Sequence, residues 1–246
     1  MPHRLFHEAA HRYDLHTPAQ HYRHDHEFVI RELKDACGPS PRVLDVGCGT
    51  GVLLGKAQMA GICAFGTDAS SEMVAVARKR VGDVVRAERM QELSEDLAYD
   101  AVVCLSWSFN YCESLDQARD ILTRMWRATR PGGRLILQIA HAPHATGRLS
   151  RDTEPGPDGQ PQDVLFLYRF RRSSRSPTRL FADYVYACHS QDELFFETHQ
   201  LEAADAHEVA ALAGTVGYDD VTLLDSWRRE PFATSISPFL LATRPG

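Results

Sequence analysis

Lysine is nearly missing from this 246-residue chain. Only Lys34, Lys56 and Lys79 occur, so arginine supplies almost all of the positive charge, and the net charge is −6. That balance leaves no basic footprint of the kind a dedicated nucleic-acid binder carries, and nucleic acid is not an expected partner. No apolar run approaches the roughly 18–20 residues that span a bilayer, which argues against a membrane partner. The first stretch, MPHRLFHEAAHRYDLH, lacks the apolar segment of a secretory signal. The six cysteines, at positions 37, 48, 63, 104, 112 and 188, include no C-x-x-C pair. They read as reduced, mostly buried residues of a cytoplasmic protein, and no metal is expected from their spacing. Internal repeats are absent. The 43% hydrophobic share fits an ordinary globular protein with a sizeable core.

What is present is a regular alternation of short apolar runs and helical patterns. A helical pattern covers 18–37 and ends in CGPSP. Strands are expected at 42–47, 63–68, 83–88, 99–107 and 134–141, with helices at 50–60, 70–81 and 116–129 between them. The third of these helices opens on a capping box, in which Ser114 caps and Gln117 reaches back. RPGG at 130–133 stops it. Such alternation predicts a parallel sheet covered by helices on both faces.

After His141 the pattern breaks. Residues 141–163 form a Pro/Gly-rich polar stretch, of a length that is usually functional or mobile. Runs at 164–171, 179–189 and 193–202 then read as an antiparallel meander. A helix at 205–218 and strands at 220–227 and 237–245 close the chain.

Seven of the twelve histidines lie within the first 26 residues, and His3, His7 and His11 share one face if that segment is helical. A solvated face is the expected reading. Arg169, Arg171, Arg172, Arg175 and Arg179 could grip an anionic acceptor, although RRSSRSPT reads more simply as a hairpin tip.

VLDVGCGTG, residues 43–51, is a buried strand running into three alternating glycines and then a helix. Glycine permits the tight turn and close approach of a ligand, and the helix start offers free N–H groups. A dinucleotide fingerprint requires G-x-G-x-x-G, but Val52 stands at its last position, and the Gly-Lys-Ser/Thr of a phosphate loop is absent.

With these residues the sequence resembles the class I S-adenosylmethionine-dependent methyltransferases, over 40–141 and again over 205–245. The resemblance implies that Asp45, Gly47, Cys48 and Gly49 belong to the cofactor loop. Asp68, with Ala69, ends the second strand and would hold the ribose hydroxyls, for which a carboxylate is a good bidentate acceptor. Glu88, Arg89 and Met90 would lie beside the adenine, where the family usually has Asp. Leu105 and Ser106 would flank the cofactor at the end of the fourth strand. RPGG before a strand is a further hallmark.

SWSFNY at 106–111 and RYDLHTPAQHY at 12–22 are similar to segments of small-molecule N-methyltransferases that act on glycine or amino sugars. That likeness implies Tyr13, with Tyr22 as fallback, at the cofactor carboxylate. Asn110 departs from the family's glycine before Tyr111.

The expected fold is α/β. It is a Rossmann-like doubly wound seven-stranded sheet with helices on both faces and an antiparallel β insertion, or lid, between strands five and six. Residues 1–40 form a helical cap, 41–141 and 205–246 the cofactor-binding core, and 142–204 the substrate-binding insertion. Ligands of such sheets sit at the strand carboxyl ends. The expected cofactor is therefore S-adenosyl-L-methionine and the partner a small-molecule acceptor, with N-methylation ahead of O-methylation. His141 is the first choice as base, ahead of His144, His189 and His199, with Tyr111 beside it. Trp107, Tyr184 and Tyr186 are expected to line the acceptor pocket. A homodimer is left open.

Overall fold

The computed structural model describes residues 3–151 and 163–246. Part of the expected 141–163 stretch therefore lies outside the described residues. The chain begins with short single turns and the one-turn helix α1 (Tyr13–His16), followed by α2 (Arg23–Cys37). The alternating core then runs β1 (Arg42–Val46), α3 (Val52–Met59), β2 (Cys63–Asp68), α4 (Ser71–Val81), β3 (Val85–Ala87), β4 (Tyr99–Cys104), α5 (Leu115–Ala128) and β5 (Thr129–Gln138). Strands β6 (Leu149–Arg151), β7 (Val164–Arg172), β8 (Leu180–Cys188) and β9 (Glu193–Leu201) come next. Helix α6 (Ala206–Val216), β10 (Asp219–Leu224) and β11 (Phe239–Thr243) complete the fold.

The seven-stranded sheet has the order β10-β11-β5-β4-β1-β2-β3, in which β11 runs antiparallel to both its neighbours. The remaining neighbours, β5-β4-β1-β2-β3, pair in parallel. Continuous apolar strands bury both faces, as parallel sheets require. Leu44, Val46, Val102, Leu135 and Leu137 pack under α5 and α6, whereas Val43, Ala101, Val103 and Ile136 pack under α2, α3 and α4. The meander is a separate antiparallel sheet, β6-β7-β8-β9. The expected architecture is thus the observed one, with an added short strand, β6, inside the expected loop.

Helix ends follow their side chains. Ser114 Oγ accepts from the Gln117 N–H at 3.2 Å, and Gln117 Oε1 accepts from the Glu113 N–H at 2.8 Å. Asp205 caps α6 through the N–H groups of His207 and Glu208, and Gly217 ends it in the left-handed region. RPGG does more than stop α5. It lies within β5 as a bulge, since Tyr99 pairs with Thr129 while Ala101 already pairs with Arg134. A Cβ on Gly133 would lie 2.6 Å from the Asp100 carbonyl oxygen, so only glycine fits that position. The fourth strand ends earlier than expected, at Cys104, because Ser106 and Trp107 both take positive φ (51° and 64°). Two adjacent non-glycine residues in that region store strain on the order of 1–3 kcal/mol each, and such positions cluster at ligand sites.

Candidate active site

The carboxyl ends of β1, β2 and β4 open into a cavity of about 680 Å³, within the range of small-ligand sites. Its floor is the glycine turn. The N–H groups of Gly47 and Cys48 both donate to the Thr67 carbonyl, at 2.8 and 2.9 Å, which binds the turn to the end of β2. Gly47 has φ +75°, and a Cβ there would lie 2.5 Å from Ser108 Cβ. Gly49, at φ +54°, lines the cavity with nothing standing within 4 Å of where a Cβ would be.

Asp68 lies across the turn. Its carboxylate accepts from the N–H of Gly49 (2.8 Å) and of Ser70 (2.9 Å), yet burial outweighs these donors and pushes its pKa up. Asp45 is more exposed to this conflict. It is buried at the end of β1, no hydrogen-bond donor among the described residues reaches its carboxylate, and burial with the nearby charge of Asp68 pushes it up to about 7. A carboxyl group at the cavity wall with no protein partner favours a cationic or hydrogen-bond-donating ligand.

At the other end of the turn, Glu88 lines the cavity and is held by Arg86 through Nε (3.0 Å) and Nη2 (2.7 Å). Arg89 and Met90 follow it along the same wall, and Leu105 and Ser106 line the opposite one. Ala69 completes the edge after Asp68. The structure therefore brings Tyr13, Asp45, Gly47, Cys48, Gly49, Asp68, Ala69, Glu88, Arg89, Met90, Leu105, Ser106 and Tyr111 to one cavity. Of its side chains, five are carboxylates (Asp14, Asp45, Asp68, Glu88, Glu113) and a single one, Arg89, is a permanent cation, so the cavity suits a positively charged ligand.

The N-terminal turns roof this cavity. Ser70 Oγ donates to the Phe6 carbonyl (2.6 Å), and Asp14 accepts from Thr50 Oγ1 and Arg80 Nη2, both at 2.6 Å. His3, Phe6 and Tyr13 thereby reach the lining, together with Tyr22 and His26 from the start of α2. His26 Nδ1 is buried and has no partner.

Other expected residues are placed elsewhere. His141 does not line the cavity. Strand β5 ends three residues earlier, and His141 turns toward α6, where its Nδ1 accepts the Ala206 N–H at 3.1 Å and its ring packs on Phe232. It pins a helix start rather than facing an acceptor. Trp107 donates to Ser237 Oγ (2.9 Å) and sets its ring edge on Phe170. Tyr186 is fully buried, stacked on Phe195, and its hydroxyl accepts from Arg12 Nε at 2.9 Å. Tyr184 packs between Phe166 and His199. These three join the lid to the core and the N-terminal turns instead of lining the cavity.

Asn110, the departure from the family pattern, is fully buried. It donates to the carbonyls of Glu202 and Ala203 and accepts from the Ala140 N–H, so it locks the turn that carries Tyr111. Three arginines of the run form ion pairs within the fold: Arg169 and Arg171 converge on Asp183, and Arg179 pairs with Glu202.

Sequence reasoning ranked His199 below His141 and missed its partners His3 and Glu197. His199 is completely buried on β9; its Nδ1 meets the Tyr111 hydroxyl at 2.5 Å, and its Nε2 meets Glu197 Oε1 at 2.7 Å. His3 stacks on His199 with ring centroids 3.7 Å apart. The alternation ETH on one strand face was the only local signal. His3, Glu197 and His199 offer ligand atoms within 4.8 Å of one another, but both nitrogens of His199 are already taken by protein partners.

A methyltransferase-domain model matches residues 43–133, from the glycine turn through the RPGG bulge. Among curated proteins, the chain is 34% identical to the glycine/sarcosine N-methyltransferase of Halorhodospira halochloris over 119 residues, covering 45% of this chain and 43% of the relative. The chain spans about half the length of the curated relatives it matches. Among solved structures, an S-adenosylmethionine-dependent methyltransferase from Clostridium acetobutylicum superposes with a TM-score of 0.76 at 15% identity, covering 97% and 98% of the two chains. The amino pentose methyltransferase CalS10 from Micromonospora echinaspora, solved with its methyl donor, gives 0.70 at 24% identity, covering 89% and 90%. Those two likenesses establish the fold. Together with the domain match over residues 43–133, they show that the cofactor-binding part of this chain is similar to S-adenosylmethionine-dependent methyltransferases and carries their fold.

Proposed function

We infer that the protein transfers a methyl group from S-adenosylmethionine to the nitrogen of a small-molecule amine. The observation that carries this reading is the unpartnered, buried carboxylate of Asp45 within a cavity of five carboxylates and one arginine. Both the sulfonium donor and an amine acceptor are cations that such a cavity favours. The donor would lie over Gly49, with Asp68 at the ribose, Glu88 to Met90 along the adenine and Asp45 near the amino-acid end. Asp68 stands ready, since its two backbone donors already fix its orientation.

The donor supplies an activated methyl carbon, so the chain's own task is alignment and exclusion of water. The His3, Phe6 and Tyr111 rings surround the far end of the cavity, with Phe6 and Tyr111 centroids 5.5 Å apart and Phe6 and Tyr13 6.1 Å apart. Aromatic faces stabilise positive charge as it moves from sulfur to nitrogen. That favours nitrogen over oxygen as the acceptor atom, because a methylated oxygen ends uncharged. The lid sheet β6–β9 is read as the cap of the acceptor end.

Calorimetry with S-adenosylhomocysteine, followed by labelled-methyl transfer to glycine, sarcosine, an amino pentose and a catechol, tests the proposal. Binding of the product cofactor and transfer to an amine are expected. Absence of binding overturns the reading, and transfer to the catechol alone replaces it with O-methylation.

A further inference from the structure

We propose that Tyr111, His199 and Glu197 form a proton-accepting chain at the acceptor end of the cavity, serving an aliphatic primary or secondary amine. The proposal rests on the methyltransferase reading above and assigns the acceptor chemistry of that same site.

The direction of the chain follows from its ends. Glu197 accepts from the N–H of Arg4 (2.9 Å, Oε2) and of Leu5 (3.1 Å, Oε1), and the hydrogen bonds from His199 and Leu5 help to hold it below the usual carboxylate range despite burial. An ionised carboxylate can only accept, so the 2.7 Å contact places a proton on His199 Nε2. Nδ1 of the same neutral ring is then bare and must accept, which makes Tyr111 the donor across 2.5 Å. Burial keeps that phenol protonated by raising its pKa well above the usual value. The free lone pair of the Tyr111 oxygen is left for a donor in the cavity that Tyr111 lines.

An aliphatic amine is mostly ammonium at neutral pH, and its lone pair is unavailable until one proton leaves. The chain takes that proton. An N–H bond of the acceptor breaks as a new O–H bond forms at Tyr111. The phenol's original proton passes to His199 Nδ1, and the resulting imidazolium is paired with Glu197. The freed nitrogen pair then bonds to the methyl carbon, and the carbon–sulfur pair stays on sulfur. The titratable groups around the chain are His3 and His7 on the N-terminal turn, Tyr13 and Tyr22 near the roof, and Tyr184 on β8. His3, pushed down to about 4 by burial and by His199, stays neutral and leaves the imidazolium without a competing charge.

Glu197 also fastens the roof through Arg4 and Leu5, so the roof and the chain form together. His199 acts through Tyr111 and is a positioning and relay residue; Tyr111 is the catalytic one.

The test uses 15N-histidine-labelled full-length protein saturated with S-adenosylhomocysteine. The expected His199 signature is protonated Nε2 with bare, hydrogen-bonded Nδ1, and Tyr111→Phe should shift the Nδ1 resonance while the affinity for S-adenosylhomocysteine changes less than twofold. A protonated Nδ1 reverses the chain and overturns the proposal. Failure of the wild type to bind S-adenosylhomocysteine overturns the methyltransferase reading instead. On whichever of glycine, sarcosine or an amino pentose is turned over, Tyr111→Phe and His199→Asn should each lower kcat about 100-fold. The KM for the donor should stay unchanged in both variants. An unaltered kcat in both variants overturns the chain.

Discussion

Gly49 donates its backbone N–H to the Asp68 carboxylate at 2.8 Å, so the glycine turn and the end of the second strand are one device. Replacing Asp68 by Ala removes the ribose acceptor and frees the turn together. A loss of at least tenfold in affinity for S-adenosylhomocysteine is expected, the scale of a charge-assisted hydrogen bond. Isothermal calorimetry measures it, and unchanged affinity would remove Asp68 from the site.

Asp45 gives a prediction in which stability and binding move oppositely. Its folded pKa, about 7, lies above the ordinary carboxylate value of 3.8. The folded state therefore holds the proton more tightly, and the ligand-free protein loses stability as pH rises from about 4 to about 7. At pH 8 the penalty is on the order of 2–4 kcal/mol. Asp45→Asn should raise the Tm of the ligand-free protein at pH 8, leave it nearly unchanged at pH 4, and weaken donor binding. Calorimetric melting at the two pH values checks the sign.

The roof should come loose in acid. Burial pushes His16 down to about 4 and His26 to about 3, from 6.5. Both must be neutral when folded, so the stability of this region is complete above pH 6.5 and declines as pH falls toward 4. For His16 the cost reaches on the order of 3 kcal/mol. Hydrogen exchange of residues 3–26 should accelerate between pH 6 and 4 ahead of the sheet strands. Uniform protection across that range contradicts the account.

His141→Ala should be a stability variant. It removes the acceptor of the buried Ala206 N–H, at a cost of about 1–3 kcal/mol. The affinity for S-adenosylhomocysteine and the pH profile of turnover are expected to match the wild type. A selective loss of turnover at full stability would return His141 to the chemistry.

Much of this molecule was legible in the chain itself. Strand and helix periods, the capping box at Ser114 and the alternating glycines at 47, 49 and 51 are local signals, because backbone geometry and helix ends are settled by residues within a few positions of each other. They determined the α/β class, the cofactor turn and the acidic residues at the ends of β1 and β2. The surroundings of Tyr111 were decided by tertiary structure alone. Tyr111 meets His199 across 88 positions and Glu197 meets Arg4 across 193, pairings that no local pattern encodes. His141 shows the same limit from the other side: its place at the expected strand end predicted a cleft residue, but the strand ended three residues early and the ring went to α6. Position along a strand sets which end of the sheet a residue reaches, whereas the packing of distant segments sets which cavity its side chain enters.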